Sequence, residues 1–472
     1  MKAKMHPLFF VVLLIMLATL VVACGGDEEE PVAEDEAAVV EEGEVAEEEV
    51  VEETEGEEAV EGEVAVGELP AECEAVTLEY WNPFTGPDGP FMGEIVDAFS
   101  TEHPQIDVIM TTQSEYYTQL STAAASETLP DVAVIHADQI ATWAFRNVLR
   151  PIDDLVAGME VEGGNFPEEV WNIGEVGGRR FAIPLDIHPM TLFYNADLLQ
   201  EAGVDPTELE DGVTAEEFEA AAAAVSEAGN NGFMLTTGFP NRQIFEMLLH
   251  QAGGRAFSEE GAEVTWDSAE GVQALEWMRE AQVEWGEPNL EVDAELNAFK
   301  GGTVGMIWNG IWQTANVTGE AVPFDGRATA VPQIFDEAAV WGGSHQLTLP
   351  AQSEEDPCRD AAAGIFIDYL LDNSVTWAAA GQIPASNEVR ESPAFQEIEP
   401  QADIAPSAQY VFFPPAVPGI TDAYAPLDEA VAAVLAGEAT DIEAALAESA
   451  QRAEQILAEN RESYGEELEV AE

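Results

Sequence analysis

The chain has almost no positive charge. Of 472 residues only 15 are Lys or Arg, against 93 Asp or Glu, for a formal net charge of −78. There are three lysines, and Lys300 is the only one beyond residue 4. Such a surface repels polyanions, so nucleic acid and anionic membrane surfaces are excluded as partners. Two sources of this acidity stay open. One is a high-salt habitat, where screening removes self-repulsion; the other is an ordinary acidic secreted protein. Cysteine is scarce too, at three residues. No GxSxG, HExxH, Walker A loop or clustered Cys/His spacing occurs, and no catalytic residue, metal or cofactor is expected. Long apolar runs are absent after the first 24 residues.

Those 24 residues read as a targeting segment. Lys2 and Lys4 precede a 15-residue apolar run, Leu8 to Val22. That is short of the roughly 20 residues a membrane span needs. Val21–Val22–Ala23–Cys24 resembles a bacterial lipobox, which implies that Cys24 is lipidated. A plain secretory peptide or an uncleaved anchor is the alternative. Residues 25–72 hold 22 acidic residues and no basic one. They have no aromatic side chain to bury, and read as a disordered tether. Its coil dimension is roughly 40 Å before charge repulsion extends it. Cys73 and Cys358 remain as a pair. Outside the cytoplasm such a pair is expected to be oxidised; two buried thiols are the alternative.

Hydrophobic residues make up 46% of the chain, enough to build real cores over two or three domains. Val76 to Tyr80, Ile106 to Met110 and Asp131 to Ile135 read as strands. Phe91 to Phe99 and Tyr116 to Ser126 read as helices between them. This alternation predicts βαβ units and a parallel sheet, with ligands beyond the carboxyl ends of the strands. Phe181 to Ile187 is an apolar run broken by Pro184, which holds Ile183 extended. A polar kink at Asp186–His188–Pro189 is expected next. Then come a strand, Thr191 to Tyr194, Asn195 as helix N-cap, and Gly203 as stop. Thr214 with Glu217 forms a capping box opening a helix to about Ala228. Further helices are expected over Phe245 to Gln251, Gly271 to Trp285, Ala361 to Leu371 and Val431 to Ala436, the last stopped by Gly437. Thr440 with Glu443 reads as a second capping box, opening a helix to about Glu459.

Five stretches, in order, carry a resemblance. They are Leu129–Leu155; Gly177–Gly203 with Pro184, Tyr194–Asn195 and Ala202–Gly203; Phe299–Trp312; Trp341–His345; and Gly381–Ala385. Together, behind the lipobox-like segment, they resemble the family 1 extracellular solute-binding proteins of ABC importers, the maltose-binding-protein-like carbohydrate binders. The resemblance spans about residues 75–460. It implies a periplasmic-binding-protein-like fold: two α/β lobes joined by a multi-segment hinge, with the ligand cleft between them. The expected division is 73–187 with 341–388 as lobe 1, and 188–340 with 389–465 as lobe 2. Residues 466–472 remain as an acidic tail.

The implied function is capture of a small solute, foremost a sugar or oligosaccharide, by hinge closure. Delivery would be to an ABC transporter permease, by a lipid-anchored monomer facing the extracellular or periplasmic side. Sugar rings pack C–H faces on aromatics and pair hydroxyls with carboxylates, amides and imidazoles. Candidates on the motif loops are Trp81, Tyr116, Tyr117, His136 and Asp138; then Asp186 and His188; then Trp308, Asn309 and Trp312; then Trp341, Ser344 and His345. Trp308 and Trp312, at helical i,i+4 spacing, equally suit a core face. Trp266, Trp277 and Trp285 are read as core. Other readings stay open: a polyamine, which acid and tryptophan would suit, or a glycerol-phosphate-type solute on the same fold; a surface glycoside hydrolase with paired carboxylates; or an acidic adhesin.

Overall fold

The computed structural model describes residues 69–159, 161–210, 212–287 and 293–464. The leader with Cys24, nearly all of the acidic tether and the tail 466–472 lie outside the described residues. Among the described residues no helix is long and apolar enough to cross a membrane.

The first sheet forms from β1 (Val76–Asn82), β2 (Ile106–Thr112), β3 (Val132–His136), β4 (Ala182–Pro184) and β10 (His345–Thr348). Its order is β2-β1-β3-β10-β4. β1 runs parallel to β2 and β3, and β10 runs antiparallel to β3 and β4. A parallel sheet must be covered on both faces. Leu78 and Tyr80 point to one face, packing with Met92 and Phe99 of the helix Gly89–Glu102 and with Phe366 of the helix Pro357–Asp372. Ile135 joins Tyr116, Leu120 and Trp143 in a separate cluster. Cys73 and Cys358 are joined by a disulfide with Cα atoms 5.6 Å apart, across 285 residues of sequence. Closing so long a loop stabilises by up to about 5 kcal/mol in the chain-entropy model.

The second sheet is organised on one long strand, β5 (Asp186–Asn195). β7 (Val304–Gly310), β8 (Gly326–Ala330), β9 (Val340–Gly343) and β11 (Ile383–Pro384) all pair antiparallel with β5. β6 (Asn231–Met234) extends the sheet beyond β7, and β12 (Val411–Phe412) beyond β9. The helix Ala215–Glu227 opens with the Thr214–Glu217 capping box. The terminal helices Ala425–Leu435 and Ile442–Tyr464 pack on Asn241–Gln251 and Ala269–Trp285.

Three sequence expectations need correction. Asp186–Pro189 is not a kink between strands, because β5 runs through it without a break. Pro189 lies opposite Gly342 within this strand pairing. The last helix is capped by Asp441, whose carboxylate accepts the Ala444 N–H at 3.1 Å, rather than by a Thr440–Glu443 box. Trp308 sits on a strand, so it does not share a helical face with Trp312.

Three chain segments pass between the two sheets. β4 leads into β5, β9 leads into β10, and β11 pairs with the first two residues of β5. The hinge is therefore a small antiparallel ribbon centred on Asp186–Pro189 and Gly342–His345. The cleft opens beside it.

Candidate functional site

A cavity of about 450 Å³ lies at this hinge. The first lobe contributes Phe84 and Asp88, which follow β1, with Tyr117, and with His136 and Asp138 at the end of β3. The hinge contributes His188, Trp341, Gly343, His345 and Gln382. The opposite wall carries Phe239, Arg242 and Glu246 from the start of the helix Asn241–Gln251, then Trp312, Phe412 and Tyr424. The strand-end rule thus locates the first-lobe wall.

Of the candidates read from sequence, Tyr117, His136, Asp138, His188, Trp312, Trp341 and His345 line this cavity. Asp186 is fully buried behind it. Trp81, Tyr116, Trp308, Asn309 and Ser344 are not among the lining residues. Trp81 and Tyr116 pack in the apolar cluster behind β3, where the Tyr116 hydroxyl donates to the Trp81 carbonyl at 3.2 Å. Trp308, 1% exposed, stacks on Trp277 at 5.4 Å. Asn309 donates to Glu295 at 3.4 Å and accepts the Gly310 N–H at 2.8 Å. Ser344 accepts from the Gln346 amide at 2.9 Å.

Asp186 organises the floor. One carboxylate oxygen accepts from His188 Nδ1 at 3.1 Å and from the His345 backbone N–H at 3.0 Å. The other accepts from His345 Nδ1 at 2.7 Å and Trp377 Nε1 at 2.6 Å. Burial alone would raise this carboxyl, but its electrostatic interactions with His345 and His188 and the hydrogen bonds from both imidazoles hold it well below the usual range. His136 Nδ1 lies 2.6 Å from the Tyr117 hydroxyl. One nitrogen of each ring lies within 4.8 Å of one nitrogen of each of the other two. These three imidazoles are the described group with donor chemistry for a metal ion. Burial, then the neighbouring imidazoles, pushes His136 and His188 below the usual histidine range.

The walls combine aromatic faces with polar groups. Trp312 stacks on Phe239 with centroids 6.0 Å apart, and meets His188 edge-on at 5.6 Å. Arg242 pairs with Glu246 and with Asp428, the latter at 3.1 Å, and its guanidinium lies 4.0 Å over the Tyr424 ring. Burial raises the carboxyls of Asp138 and Glu246, and the Arg242 charge opposes that rise. Beside the cavity, both ends of the Gln382 amide and Asp88 Oδ1 are buried with no hydrogen-bond partner among the described residues.

Residues 84–377, more than half of the chain, match the family described as bacterial extracellular solute-binding protein. The chain belongs to that family. Its members are binding proteins that work outside the cytoplasm. Among individual solute-binding proteins, the lactose-binding protein of Rhizobium radiobacter is 22% identical over 308 residues, covering 62% of this chain and 71% of its own. The sn-glycerol-3-phosphate-binding periplasmic protein UgpB of Escherichia coli is 22% identical over 365 residues, covering 71% and 81%. The fold is that of the GacH receptor of Streptomyces glaucescens, with TM-score 0.70 and 22% identity over 81% of this chain and 99% of that one. That receptor was solved unliganded and with acarbose. The solute-binding fold accounts for the cavity's position between two sheets.

Sequence reading missed Phe84, Asp88, Phe239, Arg242, Glu246, Gln382, Phe412 and Tyr424. One signal was present. Arg242 is one of very few cations in the chain, and a scarce cation among so many acids marks a built ion pair.

Proposed function

We propose that this protein captures a sugar or oligosaccharide in the hinge cleft and hands it to an ABC transporter permease. The observation that carries this reading is the conjunction of the aromatic faces of Trp312, Phe239 and Trp341 with the polar groups of Tyr117, His136 and Asp138 in the lining of one cavity. Rings pack the C–H faces of a pyranose, and the polar atoms take its hydroxyls. The carbohydrate-binding relatives support the same class. An anionic solute fits less well. Asp88, Asp138 and Glu246 face the cavity, and Arg242 is already engaged by two carboxylates. Ligand favours closure only through its greater affinity for the closed form. We place the lobes at 73–187 with 341–388 and at 188–340 with 389–465. We further propose a non-catalytic monomer, lipid-anchored through Cys24 on the extracellular or periplasmic side.

A thermal-shift panel of the full chain tests the solute class at low and high salt. The panel holds maltose, lactose, maltotriose, sn-glycerol 3-phosphate and spermidine. At 100 times its dissociation constant a ligand stabilises by about 2.7 kcal/mol, a shift of a few degrees. The expected responders are sugars. A shift with spermidine or the phosphate alone would replace the solute while keeping the binding-protein reading.

A further inference from the structure

The three imidazoles at the cavity floor are arranged as metal ligands are. They come from three elements: His136 ends β3, His188 lies in β5, and His345 begins β10. Strand register sets them side by side, with His345 opposite His136 and Gly343 opposite His188. Their ring centroids are 4.3, 5.0 and 6.1 Å apart.

The hydrogen bonds behind the rings choose the nitrogen that faces forward. An ionised carboxylate only accepts, so the Nδ1 atoms of His188 and His345 carry protons and donate to the two oxygens of Asp186. The Tyr117 hydroxyl oxygen accepts the His136 backbone N–H at 3.0 Å and lies 2.6 Å from Nδ1, so it can accept from a protonated Nδ1 as well and leave the Nε2 lone pair free. Among the described residues no hydrogen bond is formed by Nε2 of any of the three. A metal-ligating histidine characteristically binds through one nitrogen and donates the other to a carboxylate or similar oxygen. Here one carboxylate orients two rings.

A second observation concerns Gly343. A Cβ at this position would lie 2.1 Å from His188 Nε2, and 2.7 and 2.9 Å from the two carbons flanking it. That is well inside contact distance, so the His188 ring can hold this place only against a glycine. Any other residue at 343 would fill the volume. All three rings and Gly343 border the cavity.

We infer that His136, His188 and His345 bind one divalent first-row transition ion through Nε2, leaving its fourth position open to the cleft. Three neutral imidazoles suit Zn²⁺, Co²⁺, Ni²⁺ or Cu²⁺, and not Mg²⁺ or Ca²⁺. The open position takes an oxygen or nitrogen donor of the captured solute. The ion thus becomes part of what the cleft recognises. The site stands on His136 of the first lobe and the hinge residues His188 and His345, so it does not depend on the solute being a sugar.

The test uses the full chain, purified without a histidine tag and stripped with EDTA. Co²⁺ titration is followed by its d–d absorption, with Zn²⁺ in competition. One Co²⁺ per chain with a tetrahedral spectrum, displaced by Zn²⁺, is expected. His188→Gln and Gly343→Ala should each weaken binding at least tenfold, although the glycine variant keeps all three imidazoles. Asp186→Asn should weaken it by about ten- to hundredfold. Circular dichroism in EDTA establishes that each variant is folded; for one that is not, the wild-type stoichiometry and spectrum decide. No uptake at millimolar Co²⁺ or Zn²⁺, or equal uptake by folded variants, overturns the inference. Repeating the sugar panel in EDTA separates the two readings. A sugar shift without metal uptake removes the ion and keeps the sugar. Metal uptake without a sugar shift does the reverse.

Discussion

Replacing Asp186 by alanine is expected to cost about 3–5 kcal/mol of stability, the range found when one partner of a buried ionic network is removed. The side chain is 0% exposed and accepts four hydrogen bonds, from His188, from His345 twice, and from Trp377. Alanine leaves the indole and imidazole donors unpaired in a place water does not reach. Each orphaned donor carries its own desolvation penalty of about 1–3 kcal/mol. The loss would also loosen the hinge, because Asp186 in β5 ties β10 and Trp377 to the crossover. Denaturant unfolding of wild type and variant gives the comparison, read at unchanged m-value. Asp186→Asn keeps the volume and part of the hydrogen bonding, so it should fall between the two. A deficit below about 1 kcal/mol for alanine would show that this network does not hold the hinge.

The second large effect is expected at Arg242. Arg242→Ala leaves Glu246, 2% exposed, without its cation, and removes the guanidinium from the Tyr424 ring. The expected loss is again about 3–5 kcal/mol. The sign of its pH dependence follows from Glu246. Burial already raises this carboxyl, and Arg242 opposes the rise; without Arg242 the folded value climbs further. A carboxyl raised on folding binds more protons in the folded state, so stability falls as pH rises between the unfolded and folded values. The deficit of the variant should therefore shrink as the pH is lowered toward about 5. Arg242→Met with Glu246→Leu should recover most of the loss, since it removes the buried carboxylate with its cation and leaves only the half-exposed Asp428 unpaired. A pH-independent deficit would mean that packing on Tyr424, not the ion pair, is what Arg242 supplies.

The fold was legible wherever local chemistry decides. Strands and helices alternate with clear periods from Val76 to Ile135. The Thr214–Glu217 box and the Asn195 cap form from residues within one turn. Errors arose where a neighbour in space decides. Pro189 continues a strand that pairs with Gly342, and nothing near Pro189 in sequence announces that. Trp308 and Trp312 share a spacing that suits a helix, yet a strand carries one into the core and a short turn carries the other to the cleft. The site was half legible for the same reason. His136, His188 and His345 could each be marked from their motif loops, but their convergence is a product of strand register. Glu246 and Gln382 fall in stretches read from sequence as a helix and a motif loop, and Arg242 just before that helix, but nothing local points any of them at a cleft. Only the assembled cleft makes them neighbours.

Isothermal titration of the full chain and Trp312→Ala, with maltotriose or whichever panel sugar gives the largest thermal shift, tests the central claim most directly. Trp312 lies at the cavity wall, stacked on Phe239 and away from the buried cores, so the variant should stay folded. The account predicts one site per chain in the wild type. In Trp312→Ala the affinity should fall by about ten- to a hundredfold, the loss of an aromatic anchor worth about 1.4–3 kcal/mol. Equal sugar affinity in the two proteins would place the solute elsewhere and contradict this cleft as the binding site.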